Sequence, residues 1–390
     1  MKIALVRRRY NPFGGAERFL DQFLDLLLTK GHEVHLFAHE WNVQREIKNS
    51  FTFHPVPMMN DPPSLRAWSF AYHAERFLRR EKFDLIHSFE RMPFLDLYRA
   101  GDGCHRAWLD HWGQSDKRFR AGTIFLSPFH QTVLHLERAI FTGKRTRLIV
   151  CNSNLVKDEI QKYYGVPETK LRVLHNGVDL NHFHPELRDK FRFQLRKEYG
   201  ISEEDLVLLF VGSGFERKGL HFLIQSFPTV QDCVKKSLKL LVVGEGSIEG
   251  YKNMARYMGC GEKIFFIGPV LDPAHWYGAA DLFVLPTLYD PFSNATLEAL
   301  ASGLPVITTR ANGASEIMQG EECGVILENP LDTEALASAV LQLSKEKERQ
   351  KMSKKARDVA MCRSIQEYVE DTIFHYSEIL EGNKTPTLSV

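Results

Sequence analysis

The sequence predicts an α/β protein of two doubly wound, Rossmann-like domains facing a central cleft. Two observations carry this. Short apolar runs of the kind buried on both faces of a parallel sheet, such as KIALV (2–6), DLVLLFVGSG (205–214) and KLLVVGEG (239–246), recur with helical stretches between them. No long turn-rich β run and no heptad repeat breaks the alternation of strand and helix.

Composition narrows the field. The chain has 390 residues, 44% hydrophobic and 25% charged, which fits a folded protein of two to three domains. A formal net charge of +1 gives no electrostatic case for bulk nucleic-acid binding. The six cysteines form no CxxC pair and no cluster with histidine, as expected of reduced thiols in a cytosolic protein. No DxD stands beside a strand end and no His/Cys ligand spacing appears, so neither a metal nor a cofactor is expected. The first apolar run is too short for a signal peptide, and no stretch reaches the length of a spanning helix. The expectation is a protein not integral to a membrane.

In chain order, KIALV is the first strand. A Gly14-Gly15 turn follows, then a helix with apolar positions at Phe19, Leu20, Phe23, Leu24, Leu27 and Leu28, ended by Gly31, and a strand over 32–38. This βαβ unit lacks both the GxGxxG fingerprint and an acidic residue closing its second strand. It therefore offers no support for a dinucleotide. Four prolines between Pro55 and Pro63 mark a loop, SLRAWSFAYHAERFLRREK a helix and FDLIHSF (83–89) a strand. Residues 90–108 read as a loop carrying Glu90, Asp96, Asp102 and His105. A strand over 147–153 and a helix capped by Gly165 lead to KLRVLHNGVDLNHFHP, which closes the first domain at residue 185. Residues 186–204 read as a connecting helix and linker. The second domain runs from 186 to 363, and a helix expected to return to the N-terminal domain, with a polar tail, fills 364–390.

The stretch from Asp290 to Thr309, DPFSNATLEALASGLPVITT, carries the densest signal. Two carboxylates, Asp290 and Glu298, flank a turn that opens a helix. The free N–H groups of such a turn suit an anion, and the carboxylates could accept from hydroxyls attached to it. Acidic residues near a helix start also complement the helix dipole, so spacing alone leaves both readings open.

Taken together, LHNGVDLNHFHP, VGSGFERKGL, VVGEG, FFIGPV and DPFSNATLEALASGLPVITT resemble glycosyltransferase family 4. YNPFGGAERF and FERMPFLDLYRAGD are similar to the lipopolysaccharide core glucosyltransferases of that family. The resemblance implies a GT-B fold, a nucleotide-sugar donor, most simply UDP-glucose, and transfer of the hexose with retention to an inner-core heptose. Arg217 and Lys218 would meet the donor diphosphate, Glu298 the ribose and Asp290 the donor sugar. The backbone of Phe292, Ser293, Asn294, Ala295 and Thr296 would meet phosphate and sugar, Ile267 and Val270 the base, and Gly14 and Gly15 the donor from the other domain. Asp102 would lie beside the anomeric centre. Two departures stand out: Asp290 where most of the family has Glu, and Ser213 where many members have Arg.

Cations and aromatics of the first domain (Arg7, Arg8, Arg9; Arg79, Arg80, Lys82; Trp108, Trp112; Lys117, Arg118, Phe119, Arg120) suit an anionic inner-membrane surface or a lipid-linked oligosaccharide acceptor. Scattered solvated charge is the plainer reading. Other donors (UDP-N-acetylglucosamine, UDP-galactose, GDP-mannose) and a non-catalytic nucleotide-sugar binding protein stay open.

Overall fold

The computed structural model describes residues 1–9, 15–41, 51–115 and 127–382. The chain divides into two compact units. One comprises residues up to His175 together with the segment from Gln366, and the other spans Asn176–Ile365.

In the N-terminal unit, β1 (Lys2–Val6), β2 (Glu33–Ala38), β3 (Thr52–Pro55), β4 (Leu85–Ser88), β5 (Leu97–Ala100), β6 (Leu148–Cys151) and β7 (Leu171–Val173) form one sheet in the order β3-β2-β1-β4-β5-β6-β7. Every pairing is parallel. Strand order reverses between β1 and β4, which makes the loops after these two strands the natural ligand position of this sheet. Helices α1 (Gly15–Thr29), α2 (Pro63–Leu78), α3 (His105–Ser115), α4 (Pro128–Phe141) and α5 (Asn154–Tyr164) serve this unit. Residues 90–108, expected to be a loop, contain β5 and the start of α3. LYRA is too short and too polar at Arg99 to announce a strand, yet all four residues are buried.

In the C-terminal unit, β8 (Leu206–Val211), β9 (Leu238–Val243), β10 (Ile264–Gly268), β11 (Leu282–Leu285), β12 (Val306–Thr309) and β13 (Gly324–Leu327) give a second parallel sheet, ordered β10-β9-β8-β11-β12-β13. Its order reverses between β8 and β11, and helices α6 (Leu187–Glu198), α7 (Leu220–Cys233), α8 (Glu249–Tyr257), α9 (Ala274–Ala279), α10 (Asn294–Ala301), α11 (Thr333–Ser344) and α12 (Glu346–Met361) serve this unit. The chain is thus built from two doubly wound parallel α/β units, and the predicted fold class holds.

Two boundaries differ from expectation. The first unit ends at His175 rather than at 185. Asn176 donates to Asn294 at 2.7 Å, Val178 bridges Ser364, and Phe183 meets the Tyr277 ring edge-on at 5.7 Å, so residues 176–185 belong to the second unit. Residues 186–204 are not a free linker either. Helix α6 (Leu187–Glu198) lies so close to α9 (Ala274–Ala279) that a Cβ on Gly278 would stand 2.3 Å from the Leu187 carbonyl oxygen. It also delivers Arg196, 1% exposed, to Asp281 at 2.8 Å.

Helix α13 (Ile365–Glu381) completes the N-terminal unit. Tyr376 Oη lies 2.6 Å from His87 Nδ1, Arg99 donates to Tyr368 Oη at 3.0 Å, and Arg147 donates to the Ile379 carbonyl at 3.0 Å.

Burial alone would raise the Asp281 pKa. The guanidiniums of Arg196 and Arg192 outweigh it and hold the group below the usual carboxylate range. Such a depressed carboxylate adds stability above its unfolded pKa of about 4, and that stability is lost as pH falls through the folded value. Asp281→Ala, which leaves Arg196 buried without its carboxylate, is expected to cost about 3–5 kcal/mol in denaturant unfolding at pH 7. The difference from wild type should shrink below pH 4.

Candidate active site

The C-terminal unit brings three loops together at its switch point. The loop after β8 reaches Arg217 and Lys218. Gly219, at φ +79°, lets that loop settle on the one after β11, since a Cβ there would sit 1.9 Å from the Pro286 carbonyl oxygen. Leu288 N–H donates to the Arg217 carbonyl at 2.9 Å, and the Arg217 guanidinium donates to the Tyr289 carbonyl at 2.7 Å.

Asp290 is buried at the centre of this arrangement. Its carboxylate pairs with Lys218 Nζ and lies 3.5 Å from Arg217 Nη1. Burial pushes its pKa up, but Lys218, Arg217 and the Phe292 N–H together hold it below the usual range. Burial also lowers the Lys218 pKa, against the opposing pull of Asp290. Both contacts are made through the same oxygen, Oδ2. The shorter Asp side chain is turned toward the two cations and fixes them.

The start of α10 (Asn294–Ala301) is held by its own hydrogen bonds. The Phe292 N–H goes to Asp290, the Ser293 N–H to Asn312 Oδ1 at 3.1 Å, and the Thr296 N–H to Ser293 Oγ at 3.3 Å. These three amides hold the turn together. Asn294 and Ala295 are the partly exposed residues of the five. Glu298 is buried one turn on, and Tyr277 donates to its Oε2 at 2.8 Å.

Three supporting residues escape sequence reasoning. Tyr277 orients Glu298. Asn176 holds the Asn294 side chain. Asn312, fully buried, accepts from the Ser293 and Ala314 N–H groups and donates to Thr296 and Thr308 Oγ1, each at 3.0–3.1 Å. The Asn-Gly pair at 312–313 signals a turn but does not say that it lies under the 290–296 loop. Ile267 lies on the edge strand β10 and Val270 just beyond it, both half-buried against the domain core. Ser213 accepts from the Glu245 N–H at 3.3 Å.

The N-terminal unit has its own cluster at its switch point. Asp102, two residues past β5, is half exposed, with Arg7 Nη1 at 3.5 Å and Arg91 Nη1 at 3.8 Å. Partial desolvation raises its pKa, and Arg7 and Arg91 more than reverse this, so the carboxylate is ionised at neutral pH. Arg91 is anchored on the buried Glu137 at 3.1 Å and donates to the Gly103 carbonyl. Glu137 also accepts from the His105 N–H and from Tyr164 Oη. A cavity of about 90 Å³ lies beside this network, lined by Arg8, Glu90, Arg91, His105, Phe129 and Leu136 among others. Burial, with Arg91 nearby, holds the His105 pKa at about 3, so the ring is neutral. Asp96 instead serves the fold, accepting from the Ile86 N–H at 3.0 Å.

Gly15 stands at the start of α1, and Gly14 lies outside the described residues, as do Lys117, Arg118, Phe119 and Arg120. Of the other first-domain cations, Arg8 faces Glu90 at 3.7 Å, Arg9 donates to Asn60, and Arg79 pairs with Glu75.

The family described as Glycosyltransferase Family 4 matches residues 13–182, and that described as Glycosyl transferases group 1 matches residues 191–359. The chain is similar to the lipopolysaccharide glucosyltransferase WaaG of Escherichia coli (strain K12), with 26% identity over 337 residues, 86% of this chain and 87% of that protein. It is 27% identical over 223 residues, 56% of this chain and 57% of its relative, to an Escherichia coli UDP-Gal:alpha-D-GlcNAc-diphosphoundecaprenol alpha-1,3-galactosyltransferase. The crystal structure of WaaG superposes with a TM-score of 0.83 at 24% identity, over 95% of this chain and 98% of that one. Anabaena HepE in complex with UDP-glucose gives 0.70 at 18% identity, over 96% and 100%. These superpositions bear on the fold.

Asn312 has every polar atom engaged in a dry setting. Asn312→Ala should lower stability by about 2–4 kcal/mol, because the Ser293 and Ala314 amides lose their acceptor. Denaturant unfolding read on the C-terminal unit measures this, and a loss under about 0.5 kcal/mol would contradict the bonding described.

Proposed function

The chain belongs to glycosyltransferase family 4, and we propose that this hexosyltransferase moves glucose from UDP-glucose, with retention, to an inner-core heptose of lipopolysaccharide. The observation that carries the reading is the buried Lys218–Asp290 pair with Arg217 beside it, at the switch point of the C-terminal sheet. As the bond from the anomeric carbon to phosphate breaks, the departing diphosphate gains negative charge. Cations already fixed in place stabilise that charge more than the ground state and need no reorganisation. Asp290 acts by holding them there. Glu298, held by Tyr277, accepts from the ribose hydroxyls, and the Asn294–Ala295 end of α10 faces phosphate.

In the same reading the acceptor oxygen bonds to the anomeric carbon on the face the phosphate leaves. Its proton passes to a phosphate oxygen. Asp102, ionised between Arg7 and Arg91, stabilises the positive charge that develops at the sugar. The side-chain cations meet the diphosphate charge, so the proposal assigns no cofactor. Likeness to WaaG by printed name supports the glucose and lipopolysaccharide assignment.

The acceptor is lipid-linked in this reading, and contact with the cytoplasmic face of an anionic inner membrane belongs to it. Among the described residues no helix is long and apolar enough to cross a membrane. Leu65, Trp68 and Tyr72 line one exposed stripe of α2, the last two stacked at 5.4 Å. Such a stripe beside arginines suits the headgroup layer.

Release of UDP from UDP-glucose with a heptosylated acceptor tests the reading. Arg217→Ala and Lys218→Ala are each expected to lower kcat by about 10²–10³-fold, the scale of removing one preorganised stabilising group. Binding of UDP-glucose without turnover would replace the enzyme by a binding protein, and a preference for UDP-galactose or UDP-N-acetylglucosamine would replace the donor. Trp68→Ala with Tyr72→Ala should reduce flotation with anionic liposomes. Undiminished flotation would remove that stripe from the proposal.

A further inference from the structure

A second polar cluster lies on the edge of the N-terminal sheet, away from the residues assigned to transfer. Lys2 and Glu33 open β1 and β2, so the cluster sits toward the strand ends opposite those that lead to Arg7 and Asp102. His35 on β2 and His54 on β3 are diagonal neighbours on one face, since Phe37 is the register partner of His54. Glu81 reaches them from the segment between α2 and β4.

The donor atoms converge. His35 Nδ1 is 2.8 Å from His54 Nε2 and 3.9 Å from Glu81 Oε2, and one ligand atom from each residue lies within 4.8 Å of the others. His35 Nε2 is 2.8 Å from Glu33 Oε1. A carboxylate only accepts, which puts the ring proton on Nε2 and leaves the Nδ1 lone pair facing His54. Histidines that ligate metals are oriented in this way by a carboxylate on their other nitrogen. Lys2 holds Glu81 through Oε1, so Oε2 is the oxygen turned to the histidines. The rings are also fixed. His54 stacks on Phe37 at 4.2 Å and 4°, and Phe83 meets His35 edge-on at 5.2 Å. Two carboxylates, Glu33 and Glu81, face one lysine, so the cluster carries negative charge that a cation would neutralise.

We propose that His35 Nδ1, His54 Nε2 and Glu81 Oε2 bind one divalent transition ion of the zinc class. Two imidazoles and a carboxylate form the borderline donor set that suits zinc and disfavours magnesium or calcium. Bond lengths of about 2.0–2.1 Å require ligand nitrogens about 3.3 Å apart. The rings need to open only slightly to admit the ion, and a fourth position is left to solvent. The ion clamps β3, which among the described residues pairs with β2 alone, to β2 and to the segment after α2. Its role is structural and independent of the transfer reaction.

Full-length protein stripped with chelator and titrated with Zn²⁺ by calorimetry, and with Co²⁺ by visible absorption, tests this. The expected result is one ion at micromolar or tighter Kd, a four-coordinate Co²⁺ spectrum and a higher unfolding midpoint with Zn²⁺. His54→Ala should weaken binding at least tenfold. Glu33→Gln, which touches no ion, should weaken it by about 10–100-fold through loss of the orienting carboxylate. Glu81→Gln, at a partly exposed side chain that leaves the fold intact by circular dichroism, should also weaken it. His130→Ala, in the other close histidine pair (His105 Nε2 to His130 Nδ1, 3.1 Å), should leave binding unchanged. Absence of stoichiometric binding by the wild type, or equal binding by His54→Ala and Glu81→Gln, would overturn the assignment.

Discussion

The C-terminal site depends on one buried charge pair. Asp290 ties together the three loops that leave β8, β11 and β12. Its carboxylate takes Lys218 from the first, its N–H donates to the Ala311 carbonyl of the third, and its own carbonyl accepts from Gly313. A carboxylate this deep is costly unless paired. The pairing therefore fixes where Lys218 and Arg217 can stand, and it does so before any anion arrives. In the proposed reading, binding energy from a diphosphate is then not consumed in gathering the cations.

The two units solve a similar problem differently. In the C-terminal unit a carboxylate is buried and two cations are held against it. In the N-terminal unit the anchoring acid is Glu137. Through Arg91 it supports a second carboxylate, Asp102, which is half exposed. Fixed cations surround a buried acid in one case and support a half-exposed acid in the other. Both arrangements grow from loops at a reversal of strand order, where adjacent strands send their connections to opposite sides and leave backbone and side chains open to a ligand.

Much of this was legible in the sequence, for reasons that differ by element. Runs such as KIALV and LVLLFV are read directly because a parallel strand buried on both faces has nowhere to place polar residues. The Asp290–Glu298 spacing and the Arg217-Lys218 pair were visible as local patterns. What stayed hidden was set by distance along the chain. Tyr277, Asn176 and Asn312 lie well away from the turn they support, and nothing local marks a tyrosine as the partner of Glu298. The direction of the Asp290 carboxylate was likewise invisible, because length alone does not say which neighbour a shorter side chain will reach. His35 and His54 stand nineteen residues apart, outside any metal-ligand spacing, and only the β2–β3 register brings them together.

The return of α13 to the N-terminal unit bears on how the chain comes to be folded. All six strands of the C-terminal unit and the helices between them fall within one unbroken segment, whereas the N-terminal sheet is finished by residues at the far end of the chain. Tyr368, Tyr376 and the Ile379 carbonyl satisfy Arg99, His87 and Arg147. During synthesis the unit made first must wait, with these three partners missing, while the unit made second can close as soon as it emerges. The amino-terminal half is thus the last to mature, and the loss of a few carboxy-terminal turns would damage the beginning of the protein rather than its end.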